Sequence, residues 1–220
     1  MGVPAGKEKQ RRHQEKRFWD RVARRYDGSM GPRYHRVVAM TVSGIEPGDK
    51  VLEIATGTGL VAFEAAKTAR EVIGVDISRK MIDEAENKKK AGGISNIIFQ
   101  VEDAYKTPFK DGSFDAVICC NMLHIVQDPD IVLGEARRVL KPNGRLMAST
   151  YCHAEPTTFT AGFFLSVMWF LHKIGRIPYL HRFKIEDIED LIEKSGYKIK
   201  GRERIKDEHP VCLYIEAGRA

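Results

Sequence analysis

An apolar segment that runs into a glycine-rich turn constrains the fold of this chain more than any other feature. Residues 51–54 (Val-Leu-Glu-Ile) lead into Ala55-Thr-Gly-Thr-Gly59, and a second apolar segment ends at Asp76, 17 residues after Gly59. Glycines in such a turn let the backbone approach a ligand, and an acid at the end of the next strand can accept hydrogen bonds from two ribose hydroxyls. The pattern predicts an α/β unit that binds a nucleoside.

Segments with strand character alternate with helical segments between residues 50 and 150, which predicts parallel strands joined by right-handed crossovers. The predicted strands of this part are residues 50–55, 71–76, 96–102, 114–121 and 145–150. Two further strands, 197–205 and 211–217, are joined by a short polar connection and are predicted to pair antiparallel. We therefore expect an α/β fold: a mostly parallel seven-stranded sheet with an antiparallel C-terminal strand and helices on both faces.

Composition excludes several classes of protein. The chain is 43% hydrophobic and 30% charged, as in soluble globular proteins, and its first residues are polar and basic, unlike a secretory signal. The most apolar segment, residues 161–171, is too short to span a bilayer. The four cysteines lack metal-ligand spacing, so no metal site is predicted, and adjacent Cys119 and Cys120 are interpreted as small residues on opposite faces of a strand. This cysteine usage favours a reducing, cytoplasmic location.

Basic residues are concentrated in the first 36 positions, although the net charge of the whole chain is only +6. A basic arm of this kind can meet nucleic acid, an anionic membrane surface or an acidic ligand, or it can simply form a solvated helix face. We expect no nucleic-acid partner. The basic arm and the apolar segment together make peripheral contact with a membrane surface possible. The sequence leaves the oligomeric state open.

Five segments, in order along the chain, resemble the class I S-adenosylmethionine-dependent methyltransferases, in particular those that act on quinones and lipids. The segments are Glu53–Gly59, Gly74–Asp76, Glu102–Ala104, Phe114–Asn121 and Glu135–Gly144. The resemblance is strong over residues 50–146 and implies a Rossmann-like three-layer sandwich. It also implies an enzyme that uses S-adenosyl-L-methionine, with S-adenosyl-L-homocysteine as product, to methylate a small lipophilic or amphipathic acceptor.

The same resemblance implies which residues contact the cofactor. Gly57 and Gly59 match turn glycines beside the methionine part, and Ala55 stands where the family has its first glycine. The other implied contacts are Glu53 with the amino group or an ordered water, Asp76 with the ribose hydroxyls, Ile77 and Met81 with the adenine face, Asp103 and Ala104 with the adenine edge, Asn121 beneath the methionine moiety, and Tyr26 as a cover from the N-terminal arm.

One methyltransferase domain is expected over residues 1–220. Its parts are a basic helical N-terminal arm or lid (1–45), the cofactor-binding core (46–150), an apolar insertion that serves as a substrate lid (151–184), and a C-terminal helix with a strand pair (185–220).

Three residues near the expected position of the methyl group are candidates for catalysis. His124 follows the fourth strand, and Tyr151 and His153 follow the fifth. Such a residue can act as a general base for a hydroxyl or carbon acid, whereas an amine needs only desolvation. Each residue can equally pack against the sheet, and the sequence leaves the reacting atom of the acceptor open.

Two alternative functions remain open at this point. A non-catalytic S-adenosylmethionine-binding protein would keep the same ligand-binding residues without a base. A nicotinamide-dependent oxidoreductase is compatible with the glycine turn, because Ala62 fits the permitted ending of that motif. Asp103, the C-terminal strand pair and the lack of a Tyr-x-x-x-Lys pair argue against the oxidoreductase.

Overall fold

The computed structural model describes residues 5–154, 166–167, 170–172, 177, 179–205 and 210–220. Most of the apolar segment 161–171 lies outside these residues, so the predicted substrate lid stays a prediction. Within the described part of the chain, no helix combines the length and apolar character needed to cross a membrane.

One seven-stranded sheet forms the centre of the fold. Its strands are β1 (Lys50–Ile54), β2 (Glu71–Asp76), β3 (Ile97–Val101), β4 (Phe114–Cys120), β5 (Leu140–Cys152), β6 (Tyr197–Ile205) and β7 (Val211–Arg219). Their order across the sheet is β3-β2-β1-β4-β5-β7-β6. The pairs among β1 to β5 are parallel, and β7 is antiparallel to both β5 and β6. The predicted α/β fold with an antiparallel C-terminal strand is confirmed.

Helices pack on both faces of the sheet and complete the three layers. They are α1 (Ala5–Val22), α2 (Pro32–Ser43), α3 (Leu60–Ala65), α4 (Arg79–Gly92), α5 (Pro129–Val139) and α6 (Ile185–Lys194), with short 3-10 turns at Ala23–Arg25 and Asp27–Ser29. One core joins Leu52 to Leu133 of α5, and the other joins Val51 to Val61 of α3. Val51 and Leu52 are neighbours in β1, so their side chains point to opposite faces and the two cores lie on the two sides of the sheet.

β5 begins earlier than the sequence predicts. Leu140 already pairs with Phe114, whereas the predicted strand starts at Arg145. The register then shifts before Ala116 pairs with Arg145, so residues 141–144 form an irregularity inside the strand rather than a connection before it.

Acidic residues of the N-terminal arm attach it to the carboxyl ends of the strands. Asp20 of α1 accepts a hydrogen bond from Ser78 Oγ at 2.6 Å, just before α4. Asp27, in the second 3-10 turn, accepts from Thr58 Oγ1 in the glycine turn and pairs with Lys88 of α4. These contacts hold α1 over the edge of the sheet at which the predicted cofactor residues lie.

Candidate functional site

A cavity of about 720 Å³ opens at the carboxyl ends of β1 to β4, beneath α1. Nine of the eleven residues predicted to contact the cofactor line it: Tyr26, Ala55, Gly57, Asp76, Ile77, Met81, Asp103, Ala104 and Asn121. Open α/β sheets bind ligands at this edge. The fold thus brings residues from separate segments of the chain to one place.

The other two predicted contact residues, Glu53 and Gly59, lie outside the lining of this cavity. Glu53 is only 2% exposed, and its carboxylate accepts a hydrogen bond from Thr56 Oγ1 at 2.5 Å. Burial raises the pKa of Glu53 to about 8, against the opposing effect of that bond and of one from the Ala62 N–H. A Cβ on Gly59 would lie 2.6 Å from the Phe99 ring, at a φ of +83°. Glu53 therefore stabilises the glycine turn by a buried hydrogen bond, and Gly59 lets the turn pack closely against Phe99.

The backbone of the glycine turn is left-handed at two cavity-lining positions, Ala55 (φ +58°) and Gly57 (φ +55°). Glycine adopts this conformation without strain, whereas an L-residue such as Ala55 pays roughly 1 kcal/mol or more. A Cβ on Gly57 would lie 3.5 Å from the Tyr26 ring. The missing side chain keeps a narrow space between the turn and the arm, which fits a ligand that runs along the backbone there.

Asp76 is fixed at the end of β2 by two backbone N–H groups. Its Oδ1 accepts from the Ser78 N–H at 2.8 Å, and its Oδ2 accepts from the Gly57 N–H at 2.9 Å. Burial raises its pKa to about 6; the two hydrogen bonds oppose this rise and the charge of Asp20 adds to it. A carboxylate has about four acceptor sites, so each oxygen can take one further hydrogen bond. The arrangement fits the two hydroxyls of a ribose.

Asp103 follows β3 and is contacted by the N-terminal arm. Its Oδ1 accepts from the Tyr105 N–H at 3.0 Å, and its Oδ2 pairs with Arg12 of α1. The Arg12 guanidinium also lies over the Tyr105 ring, with Cζ 4.7 Å from the ring centroid. Glu15 and Trp19, about one and two turns further along α1, line the cavity. One face of α1 therefore closes one side of the cavity.

Asn121 ends β4 in a left-handed conformation, with φ +51°. Asparagine tolerates this region better than most residues. Its N–H donates to the Ser149 carbonyl at 2.9 Å, and its Oδ1 accepts from Ser149 Oγ at 3.2 Å, so the end of β4 is fixed against β5. Cys120 lines the cavity while Cys119 lies in the core on the other face, which confirms that the adjacent cysteines point to opposite sides.

The three candidate catalytic residues form a second cluster near the ends of β4 and β5, outside the cavity lining. The predicted position of Tyr151 after the fifth strand is wrong, because β5 continues through pairing with β7 as far as Cys152. The His124 ring centroid lies 5.1 Å from that of Tyr151 and 5.5 Å from that of His153. Mainly through burial, the pKa of His124 falls to about 3 and that of His153 to about 4, so both imidazoles are neutral at neutral pH. His124 Nδ1 contacts Thr150 Oγ1 at 3.1 Å. Neither ring nitrogen of His153 has a hydrogen-bond partner among the described residues.

Residues 179–183 return to this cluster and supply further rings. The His181 N–H donates to the His124 carbonyl at 2.8 Å, and the His181 ring contacts the Gln127 carbonyl at 3.1 Å. Phe183 stacks on His181, with centroids 4.6 Å apart and an interplanar angle of 11°. A surface built from rings suits a flat, aromatic ligand.

Several residues near the site were not predicted from the sequence, among them Arg12, Glu15 and Trp19 of α1. These three recur at helical spacing, which is the signal that could have assigned one face of α1 to the cavity. Arg33 of α2 lies over the Tyr151 ring, with Cζ 4.9 Å from its centroid. That contact joins distant parts of the chain, and no spacing in the sequence indicates it.

Comparison with known proteins decides the family. The family model described as a methyltransferase domain matches residues 45–172, more than half of the chain. The chain belongs to the class I S-adenosylmethionine-dependent methyltransferases. A demethylmenaquinone methyltransferase of Symbiobacterium thermophilum is 31% identical to this methyltransferase over 224 residues, covering 88% of each chain. A second demethylmenaquinone methyltransferase, from Tropheryma whipplei, is 31% identical over 189 residues, covering 81% of this chain and 77% of the relative.

Among solved structures, an S-adenosylmethionine-dependent methyltransferase from Mesorhizobium loti aligns with a TM-score of 0.67 and 19% identity, covering 84% of this methyltransferase and 96% of that chain. Identity at this level shows the shared fold alone. The family match and the closer relatives confirm the predicted enzyme class, a methyltransferase that acts on a small molecule. They favour it over the oxidoreductase and the non-catalytic binding protein.

Proposed function

We propose that this methyltransferase binds S-adenosylmethionine in the cavity at the ends of β1 to β4 and methylates a quinol-type aromatic acceptor. The observation that carries the first half is the presence of Asp76 and Asp103 on one cavity, at the ends of neighbouring parallel strands. The second half is supported by the ring cluster after β4 and β5, and by relatives that are demethylmenaquinone methyltransferases. When bound, S-adenosylmethionine supplies a methyl group made electrophilic by the adjacent sulfonium.

The cofactor-facing residues would act mainly by binding and orientation. Asp76 would accept from both ribose hydroxyls, because each oxygen keeps one acceptor site. Asp103 would accept from the adenine amine once Arg12 gives way. The remaining proposed contacts are Ile77, Met81 and Ala104 around the adenine, Ala55, Gly57 and Asn121 along the methionine part, and Tyr26 as the cover. Glu53 and Gly59 would act through the shape of the turn.

On the acceptor side, His124, Tyr151 and His153 would form the wall against which the acceptor ring lies. His124 is tied to Thr150 and packs edge-on against Tyr151, at an interplanar angle of 81°, so these two residues position the wall. His153 is the group that we assign to contact with the acceptor. Its neutral ring can form a hydrogen bond with an acceptor oxygen.

We also propose a role for each part of the domain. The arm over residues 1–45 would cover the cofactor, because Arg12, Trp19 and Tyr26 all reach its cavity. The core over 46–150 would bind it, and the segment 151–184 would cover the acceptor. Residues 185–220 complete the sheet with α6, β6 and β7.

Calorimetric titration with S-adenosylhomocysteine tests the cofactor half. We expect Asp76→Asn and Asp103→Asn each to weaken binding about tenfold or more, because each loses hydrogen bonds to a charged acceptor. Asp190→Asn, on the exposed face of α6, is the matched control and should leave affinity unchanged. Equal affinity in all four proteins, or preferential binding of NADH, contradicts the assignment.

The acceptor half is tested with a chemically reduced naphthoquinol that lacks a ring methyl group. Incubation with S-adenosylmethionine should give a singly methylated product by mass spectrometry, and His153→Phe should abolish the product while binding of S-adenosylhomocysteine is retained. Methylation of amines with no methylation of the quinol would rule out this acceptor class.

A further inference from the structure

The side chain of His153 has no polar partner in the part of the chain that the structure describes. Both of its ring nitrogens are buried without a hydrogen-bond partner in the described residues. The other imidazoles nearby differ, since His124 contacts Thr150 Oγ1 and His181 contacts the Gln127 carbonyl. Buried polar groups without hydrogen-bond partners are rare and costly in folded proteins. A bound ligand with a polar atom beside the His153 ring would remove this cost.

The charge around His153 determines what kind of ligand fits. The Arg33 guanidinium lies over Tyr151, and the Tyr151 ring lies 6.2 Å from that of His153. Arg33 Nη1 donates to the Pro210 carbonyl at 2.6 Å, which fixes the guanidinium at this position. Besides burial, the positive charges of Arg182 and Arg33 lower the pKa of His153. Both charged groups that act on this imidazole are therefore cationic.

We propose that the place beside His153, Tyr151 and Arg33 binds an acidic oxygen of the acceptor as its anion. The acceptor is then an oxygen acid, such as a phenol, a hydroquinol or an enol, and not an amine. This inference rests on the proposed function, because it takes the ring cluster to be the acceptor site. It adds the ionisation state in which the acceptor is recognised.

Electrostatics separates the two classes of acceptor. An oxyanion gains from the positive charges of Arg33 and of the exposed Arg182, and it accepts a hydrogen bond from the neutral His153 ring. An ammonium group is repelled by the same two charges, and a neutral amine gains nothing from them. When the acceptor binds as an anion, its hydroxyl proton passes to solvent, and the negative charge raises the electron density of the ring that is to be methylated.

The other titratable groups around the cluster do not change their charge near neutral pH, so they do not offset the ionisation of the acceptor oxygen. Among the described residues they are His124 after β4, Tyr151 in β5, Cys212 in β7 and His181 in the returning segment, and the charges of Asp128 and Asp130 act on His181. The pKa values of His124 and His181 are lowered, mainly by burial, so both rings stay neutral as the pH rises through neutrality. Among the described residues, the charges that act on His153 itself are those of Arg33 and Arg182.

The test uses para-nitrophenol, whose anion absorbs at a longer wavelength than the neutral acid. A low concentration of para-nitrophenol is titrated with pH in a saturating excess of the full-length protein, with and without S-adenosylhomocysteine, so that the absorbance gives the pKa of the bound probe. We expect the anion to bind at least about tenfold more tightly than the acid, which is a lowering of the probe pKa by about one unit. The amine analogue para-nitroaniline should bind at least about tenfold more weakly than the anion.

Three variants locate the effect. Arg182→Gln and Arg33→Met should each reduce the lowering of the probe pKa, and Arg33→Lys should restore most of it because the charge is kept. Arg36→Gln is the matched control, since Arg36 lies one turn further along α2 and pairs with Glu203 at the surface. If Arg33→Met does not fold, Arg182→Gln decides alone, because its side chain is exposed.

Binding of para-nitrophenol with its solution pKa, tight binding of para-nitroaniline, or no binding of the phenol at millimolar concentration overturns this inference. Failure of the proposed function looks different. In that case S-adenosylhomocysteine does not bind by calorimetry, whatever the phenol does.

Discussion

Ala55 holds a left-handed backbone conformation that glycine would adopt without strain. It lines the cavity proposed for the cofactor, just after β1, so the effect of relieving this strain on stability and on ligand binding can be measured in one variant. We expect Ala55→Gly to raise the free energy of unfolding by about 1 kcal/mol, because the cost of a Cβ at positive φ exceeds the entropy that glycine loses on folding. Urea unfolding followed by circular dichroism measures this change.

Ala104→Gly is the matched control for this prediction. Ala104 also lines the cavity but is not among the described non-glycine residues with positive φ. The substitution should lower stability by roughly 0.5–1 kcal/mol, the usual entropic cost of glycine. Loss of stability in Ala55→Gly of the same size as in the control would show that the strain at position 55 is absent.

The two turn glycines should respond differently to alanine. At Gly59 a Cβ would meet the Phe99 ring at 2.6 Å, so Gly59→Ala should lower stability by about 2–3 kcal/mol through overpacking and strain. At Gly57 the nearest atom, in the Tyr26 ring, is 3.5 Å away, so Gly57→Ala should lose only the roughly 1 kcal/mol that a Cβ costs at positive φ and should mainly weaken binding of S-adenosylhomocysteine. Thermal unfolding and calorimetry on both variants measure this contrast, and the reverse assignment of effects would contradict it.

At the scale of elements, α1 contacts a carboxylate that is also proposed to bind the cofactor. Arg12 pairs with Asp103 Oδ2, the atom proposed to face the adenine amine. The pair is partly exposed, with 34% and 28% of the two side chains accessible, and such pairs contribute only about 0–1 kcal/mol. We expect Arg12→Gln to bind S-adenosylhomocysteine up to about fivefold more tightly and to associate with it faster.

Stopped-flow fluorescence of Trp19, which lines the cavity, follows this association. Rising salt should speed association in the wild type and have less effect in Arg12→Gln, because salt screens the competing pair. Arg24→Gln is the control, since Arg24 is exposed and lies 4.0 Å from Glu84, away from Asp103. Weaker binding in Arg12→Gln would mean that Arg12 helps to hold the ligand instead of competing with it.

The elements also show how far the sequence could predict this structure. The parallel strands and the turns after β1 and β2 were predictable, because alternating apolar segments and a glycine turn are local signals. Ser78 is another local signal, and its Oγ accepts the Met81 N–H at the start of α4. The early start of β5 was not predictable, because Leu140 is drawn into the sheet by pairing with Phe114. The closure of the site by Arg12 and Arg33 likewise depends on distant contacts.

In the whole molecule, the stability of the fold depends on pH through buried titratable groups. A buried carboxyl group lowers stability as the pH rises, whereas two buried imidazoles lower it as the pH falls. The pKa of Glu53 is raised to about 8, so the folded state keeps its proton, and this contribution to stability is lost as the pH rises above the ordinary carboxyl range. The pKa values of His124 and His153 are lowered, so protonating them as the pH falls below the ordinary histidine range disfavours the folded state. The Glu53 contribution should therefore be lost as the pH rises to about 8, and the histidine contribution as the pH falls below the ordinary histidine range.

Replacing Glu53 removes the alkaline part of this dependence. Gln resembles the protonated carboxyl and can still accept from Thr56 Oγ1, so Glu53→Gln should fold normally. Relative to the wild type, it should gain about 3 kcal/mol of stability between about pH 5 and pH 8, since the wild type must either keep a proton or bury a charge over that range. Urea unfolding at several pH values measures the gain, with Glu64→Gln on the surface of α3 as the control. A stability difference that does not change with pH would mean that the Glu53 carboxylate is solvated or paired with a positive charge. The roles proposed for Ala55 and Gly57 in the same turn would then be contradicted as well.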